Sequence, residues 1–188
     1  MRLFVAVDLS EEARQAMAAE QKRIAAGLAG KQTSLKWVRP EHMHLTLVFL
    51  GSVDEARAGA VVDAIGRDVD AAPFDMVFDG VGVFPPHGEP RVLWSGVTEG
   101  AAELVALHRE LAPRAAALEI ALEERSFHPH LTLGRWRESR RQDRQRALAA
   151  DARDPIARVR VRRATLYESR LSPSGPTYTA LAHANLTR

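Results

Sequence analysis

His44-Leu45-Thr46-Leu47 returns letter for letter as His130-Leu131-Thr132-Leu133, so the chain offers an imidazole and a hydroxyl at the same spacing twice. Alternating polar and apolar residues in a β-strand put His and Thr on one face and both leucines on the other. The two polar side chains of one copy then stand roughly 7 Å apart along the strand, within reach of a single tetrahedral group. Four such groups can surround a phosphate. Histidine has an unperturbed pKa of about 6.5, so near neutrality one copy can hold a proton that the other lacks. One neutral ring can activate water while the other, protonated, delivers its proton to a departing alkoxide. The threonine hydroxyls can donate to the non-bridging oxygens as phosphorus becomes five-coordinate. Arg135, at the end of the second copy, can add a charged donor fork to the same oxygens. A sugar-ring cyclic phosphate suits this apparatus, because its strained five-membered ring releases an alkoxide without help from a metal.

One such tetrapeptide alone would mean little, since a single strand histidine is more often a hydrogen-bonding partner than a catalyst. Duplication of both polar residues at matched positions is what an ordinary exposed strand face does not need. His42 and His128 stand two residues ahead of the two motif histidines and read as surface or loop residues.

The elements that must position these groups follow from the flanking pattern. Leu3 to Leu9 reads as a buried strand, and Ser10 as the N-cap of a helix with Glu11 and Glu12 in its first turn and Gly30 as its stop. Leu35 to Arg39 is extended up to Pro40, and Met43 to Leu50 forms the first His strand, closed by Gly51. Asp54 caps a second helix whose apolar positions are Ala58, Val61, Val62, Ile65 and Val69. Phe74 to Phe84 and Arg91 to Val97 read as strands around a Pro-Pro-His-Gly loop at 85–88. A helix at Ala101 to Ala117, a short strand at Glu119 to Glu123, the second His strand and a polar helix at Glu138 to Ala150 follow. Two long strands, Ala157 to Leu171 and Thr177 to Leu186, flank the turn Ser172-Pro173-Ser174-Gly175-Pro176. The two histidines are 86 residues apart, near half the chain. The expected fold is therefore α/β (α+β): one bilobal domain over residues 1–188, with two similar lobes of mainly antiparallel sheet backed by helices and the matched strands facing across a cleft.

Composition narrows the setting. The 188 residues are 46% hydrophobic, which suits a globular core. Without cysteine, disulfides, Cys-ligated zinc and thiol chemistry are excluded. No run of residues has the apolar length of a membrane span, and the N-terminal stretch turns acidic at Asp8, too early for a secretory signal. A cytoplasmic protein with no membrane partner is expected. The net charge is only +2, yet Arg135 to Arg163 holds 11 Arg against 4 acids, leaving the rest of the chain at −5. This asymmetry points to an anionic partner such as RNA. Against it stands a habit of composition: only Lys22, Lys31 and Lys36 among 26 basic residues are lysines, and a solvated Arg-rich face looks the same.

Arg39-Pro40-Glu41-His42-Met43-His44-Leu45-Thr46-Leu47-Val48-Phe49-Leu50-Gly51 and Phe127-His128-Pro129-His130-Leu131-Thr132-Leu133-Gly134-Arg135 together resemble the two-histidine phosphoesterases. Within them the chain is most similar to the bacterial RNA 2′,3′-cyclic phosphodiesterases, also described as 2′-5′ RNA ligases. The likeness extends to Arg2-Leu3-Phe4-Val5-Ala6-Val7-Asp8-Leu9, to Pro90-Arg91-Val92-Leu93-Trp94, and to Tyr167-Glu168-Ser169-Arg170-Leu171 with Gly175 and Tyr178. The resemblance implies a bilobal fold and metal-independent hydrolysis of RNA 2′,3′-cyclic phosphate ends to a 2′-phosphomonoester, with 2′-5′ ligation as the reverse. It implies that His44, Thr46, His130 and Thr132 form the catalytic quartet, with His44 the proton donor to O3′, His130 the proton acceptor from water, and Arg135 a substrate-binding residue. It implies no cofactor, and a monomer acting on RNA ends or nucleoside 2′,3′-cyclic phosphates.

Two rival readings remain. A zinc hydrolase would use His128-Pro129-His130, completed by His44 or His42, but the residues following His130 are apolar and then basic where a carboxylate is wanted. A non-catalytic RNA-binding module would use the basic stretch with Phe4, Trp37, Phe84 or Trp136 as stacking platforms, although strand aromatics more often belong to a core.

Overall fold

In the computed structural model, residues 1–28, 34–123, 126–149, 155–173 and 175–188 are described. Nine strands and four α-helices occur among them, in the order β1 (Arg2–Asp8), α1 (Glu11–Gly27), β2 (Leu35–Trp37), β3 (His44–Ser52), α2 (Glu55–Ile65), β4 (Phe74–Phe84), β5 (Val92–Glu99), α3 (Ala101–Ala116), β6 (His130–Trp136), α4 (Arg141–Leu148), β7 (Ala157–Val161), β8 (Arg163–Ser172) and β9 (Gly175–Asn185). A 3₁₀ turn, Pro40–His42, precedes β3. The strands build two antiparallel sheets, one ordered β3-β1-β8-β9 and the other β2-β6-β5-β4-β7. The expected mixed α/β architecture with one matched His strand in each sheet is what forms, and β3 and β6 touch across the two sheets.

The lobes are not successive halves of the chain. β1 is central to its sheet, pairing with β3 on one side and β8 on the other, so the first and last strands of the chain share a lobe. The stretch expected as a single strand from Ala157 to Leu171 is two strands that serve different sheets: β7 pairs with β4, and after Arg162 the chain enters β8 beside β1. The seam lies at Arg162 and Arg163, two successive exposed residues that shift the buried alternation from Val159 and Val161 to Ala164 and Leu166, a local break that does not tell which sheet each half joins. Glu119–Glu123 is not a strand. Glu119 takes a positive φ of 57° and hydrogen-bonds back onto α3, which turns the chain off the helix end. Val69 lies beyond α2, bridging to Leu186. The proposed helix stop Gly30 lies outside the described residues.

Capping and core follow the local chemistry. Ser10 Oγ accepts from the Ala13 amide at 3.2 Å and opens α1, whereas Asp54 caps α2 without a side-chain hydrogen bond. Leu45, Leu47, Leu131 and Leu133 are all buried in one continuous apolar cluster with Leu3, Val5, Val7 and Leu93. At about 1.5–3 kcal/mol per buried aliphatic side chain, this inward half of each motif holds the outward half in place. No helix among the described residues is long and apolar enough to cross a membrane.

The two lobes repeat one local irregularity. Along β1, Val5 pairs with Val48 and Ala6 with Thr46, so Leu47 is skipped. Along β5, Leu93 pairs with Gly134 and Trp94 with Thr132, so Leu133 is skipped. The last leucine of each motif is thus the extra residue of a β-bulge, which bends the strand where the Thr side chain must be aimed. Each bulge carbonyl takes a side-chain donor from a helix: His108 of α3 bonds Leu47 O through Nδ1 at 2.8 Å, and Gln21 of α1 donates to Leu133 O at 2.8 Å. The internal repeat therefore extends beyond the four letters that announce it.

Candidate active site

Both motif histidines are held by the same device. His44 Nδ1 lies 2.9 Å from the carbonyl of His42, and His130 Nδ1 lies 2.7 Å from the carbonyl of His128. A carbonyl only accepts, so Nδ1 carries the proton in each ring and Nε2 is left as the working nitrogen. This gives the two residues ahead of each motif a role through their backbone, which the sequence reading did not assign.

Aromatic walls fix the rings. Phe4 stacks on His44 with centroids 4.7 Å apart, and Tyr178 meets the same ring edge-on at 5.1 Å. On the other lobe Phe84 meets His130 edge-on at 5.0 Å, and Trp94, stacked on Phe84 at 5.0 Å, lies 6.1 Å from His130. Trp94 fits only because residue 82 is glycine: a Cβ there would stand 2.1 Å from the indole Cζ2. Of the four aromatics proposed as stacking platforms, Phe4 and Phe84 thus line the histidines, Trp136 is buried in the core and Trp37 is half-buried in β2. Sequence reasoning missed Tyr178 and Trp94 as site residues, since each reaches its histidine only through sheet pairing.

Burial sets the resting protonation. Desolvation pushes His44 from 6.5 down to about 4, outweighing the raising effects of its Nδ1 hydrogen bond and the Asp8 carboxylate, while His42 and Arg14 push it further down. His130 is also lowered, first by desolvation and then by the charges of His128 and Arg135 against its own hydrogen bond. Both rings are therefore mainly neutral at pH 7 in the unliganded protein, rather than one charged and one neutral.

A cavity of about 830 Å³ opens beside these groups, with Thr46, His130 and Arg135 in its wall together with Phe84, His108 and Phe127. That volume suits a nucleotide-sized ligand. His44 and Thr132 are not part of that wall. His44 lies two residues before Thr46 on β3, and Thr132 two after His130 on β6. The exposed Arg135 acts electrostatically on both His130 and Tyr178, so its charge spans the two lobes. His128 is exposed and packs edge-on against Trp94 at 5.3 Å, and His42 lies 5.4 Å from Tyr178; each belongs to the surroundings of the site rather than to a plain surface. Among the described residues no three His, Cys, Asp or Glu side chains stand close enough to share a metal ion.

Much of the Arg-rich stretch is committed within the protein. Arg144 donates to the carbonyls of Pro85 at 2.7 Å and Gly88 at 3.0 Å, holding the loop that carries Pro85 and Pro86 into the cavity wall. Arg158 forms a fork with Glu99 at 2.8 and 2.7 Å, and Arg160 pairs with Asp75 at 3.4 Å. Such exposed pairs add little to stability, but they reduce the positive charge left for an external anion.

The sequence profile of the 2′-5′ RNA ligase superfamily matches residues 21–172. The chain belongs to this superfamily. Among the superfamily's proteins, the RNA 2′,3′-cyclic phosphodiesterase of Thermotoga maritima is 36% identical over 182 residues, covering 96% of this chain and 93% of that protein. That of Archaeoglobus fulgidus is 34% identical over 183 residues, covering 95% and 96%. The crystal structure of E. coli LigT complexed with 3′-AMP superposes with a TM-score of 0.78 at 28% identity, covering 100% of this chain and 98% of that one. The superfamily fold is thus shared along the whole chain, including the strands that carry both His-Leu-Thr-Leu motifs.

Proposed function

We propose that this protein is a metal-independent RNA 2′,3′-cyclic phosphodiesterase. The relatives named for that activity support the reading, and the observation that carries it is the matched tautomer of the two motif histidines. Because each Nδ1 is tied to the carbonyl two residues back, each Nε2 is free to give or take a proton at the same phosphorus. In this mechanism His130 Nε2 accepts a proton from water as the water oxygen bonds to phosphorus. The P–O3′ bond breaks, and His44 Nε2–H delivers its proton to O3′, leaving a 2′-phosphomonoester. Thr46 and Thr132 donate to the non-bridging oxygens, and Arg135 adds a charged donor as negative charge develops there. With a 5′-hydroxyl in place of water, the same displacement of O3′, with His130 taking the hydroxyl proton and His44 giving one to O3′, joins the cyclic phosphate to that hydroxyl in a 2′-5′ linkage. The protein acts in this reading as a cytoplasmic monomer on RNA ends.

The deciding experiment is to incubate the protein, in excess chelator, with an oligoribonucleotide ending in a 2′,3′-cyclic phosphate and to identify the product isomer. A terminal 2′-phosphate formed at an undiminished rate is expected. A 3′-phosphate, or activity abolished by the chelator and restored by zinc, would refute the proposal, and binding without turnover would leave only the RNA-binding module.

A further inference from the structure

The two motif histidines are alike in tautomer, bulge and aromatic packing, yet their electrostatic surroundings differ. His130 is acted on by His128 and Arg135, both of which disfavour a proton there. His44 has a carboxylate in its neighbourhood. Asp8 is the residue directly opposite His44 in the β1–β3 pairing, on the same face of β1 as Phe4, which stacks on the His44 ring. Directly opposed residues in an antiparallel pair have Cα atoms roughly 4.5–5.5 Å apart.

That carboxylate is held in a built network. Asp8 Oδ1 accepts from the Tyr167 hydroxyl at 2.6 Å and Oδ2 from the Thr165 hydroxyl at 2.8 Å. Thr165 is fully buried, and because its proton is spent on Asp8, its oxygen accepts from His183 Nδ1 at 3.1 Å. Two hydroxyl donors, one of them backed by a histidine, hold the Asp8 carboxylate fixed.

We infer that Asp8 is a positioning residue of this enzyme: its carboxylate, clamped by Tyr167 and Thr165 opposite His44 on the paired strand, favours the protonated form of the His44 ring that the proton-donor role requires. The inference rests on the phosphodiesterase reading above and bears on the donor role within it. The groups around the His44 ring are Asp8 from β1, Arg14 from α1, His42 from the preceding turn and Tyr178 from β9, with Tyr167 of β8 behind Phe4. Among the described residues Asp8 is the one carboxylate acting on either ring, and the cations Arg14 and Arg135 oppose a proton on His44 and His130 respectively. In the unliganded protein desolvation outweighs this effect; when substrate brings an anionic phosphate to the ring, that charge and Asp8 act in the same direction on His44.

The test is a pair of variants with effects of opposite sign. Asp8→Asn removes the charge, and Tyr167→Phe keeps the charge but removes one hydroxyl that stabilises it. With inorganic phosphate bound to bring the titration toward neutral pH, the His44 ring is followed by NMR in each variant. In parallel, the pH profile of kcat, which reports the substrate-bound enzyme, is measured on cytidine 2′,3′-cyclic phosphate. Asp8→Asn should lower the His44 titration by roughly 1 pH unit and move the alkaline limb of the profile down with it; Tyr167→Phe should move both up. A merely structural role cannot produce opposite shifts, and Tyr167→Phe retains the test if Asp8→Asn does not fold. An unmoved His44 titration in either folded variant would overturn the inference. Should the ring move while only the acid limb of the profile follows, Asp8 would still govern His44, and it is the donor and acceptor roles proposed above that would be reversed.

Discussion

Gly82→Ala tests whether the aromatic wall behind His130 is part of the catalytic geometry. The new Cβ would lie 2.1 Å from Trp94 Cζ2 and 2.3 Å from Cη2, whereas ordinary carbon contacts are about 3.5–4.0 Å. The indole must therefore retreat by over an ångström. Trp94 cannot do so alone, because it is stacked on Phe84, and both rings face His130. Overpacking of this kind costs about 1–3 kcal/mol, which for a chain of this size lowers Tm by roughly 2–12 °C. Displacement of a catalytic group by about 1 Å can cost about 10²-fold in rate, so kcat on a nucleoside 2′,3′-cyclic phosphate should fall by about that factor at a temperature where the variant remains folded. Thermal melting and steady-state kinetics on the same preparation read both effects. Trp94→Phe in the Gly82→Ala background removes the clashing six-membered ring and should recover part of each. Full activity in Gly82→Ala, or lost activity that tracks only the unfolded fraction, would refute the idea that this wall aims His130.

His44→Ala and His130→Ala should each lower turnover by roughly 10² to 10⁴ while the melting transition persists, whereas Thr46→Val and Thr132→Val should cost less than Arg135→Ala; near wild-type turnover in either histidine variant contradicts the assignment. Because burial lowers His44 from 6.5 to about 4, the unfolded chain binds the extra proton in that window, so stability is full above about 6.5 and is lost as pH falls toward 4. The fall in Tm from pH 7 to pH 4.5 should accordingly be smaller in His44→Gln than in the parent protein. Arg144→Ala frees the carbonyls of Pro85 and Gly88 and should raise KM by about 3- to 10-fold through the loosened cavity wall, with kcat nearly unchanged.

The catalytic reading was legible because the tetrapeptide carries its own geometry: alternation told which side chains share a face, and Leu45, Leu47, Leu131 and Leu133 are indeed buried opposite His and Thr. Most elements were legible for the same local reasons, Ser10 as a cap among them. What the sequence could not show is non-local. The break in alternation at Arg162 and Arg163 does not say that the two halves join different sheets, and the joining of the first and last strands in one lobe has no local signature. The bulges at Leu47 and Leu133 appear only once β3 and β6 have partners. Within the charge run from Arg135 to Arg163, the sequence does not show that Arg144, Arg158 and Arg160 find carbonyls or carboxylates far away along the chain. Asp8 is the sharpest case: an acidic residue closing an apolar strand looks like a strand end, and only pairing sets it opposite His44.

The proposed reaction needs two imidazoles meeting at one phosphorus, and the most direct measurement is a crystal structure of the protein with a bound nucleoside 2′-monophosphate, its product. Nε2 of His44 and Nε2 of His130 should both lie within hydrogen-bonding distance of oxygens on the same phosphate, with Thr46 and Thr132 on the remaining oxygens. A phosphate held by only one of the two rings, or seated elsewhere in the cavity with both rings unengaged, would contradict it.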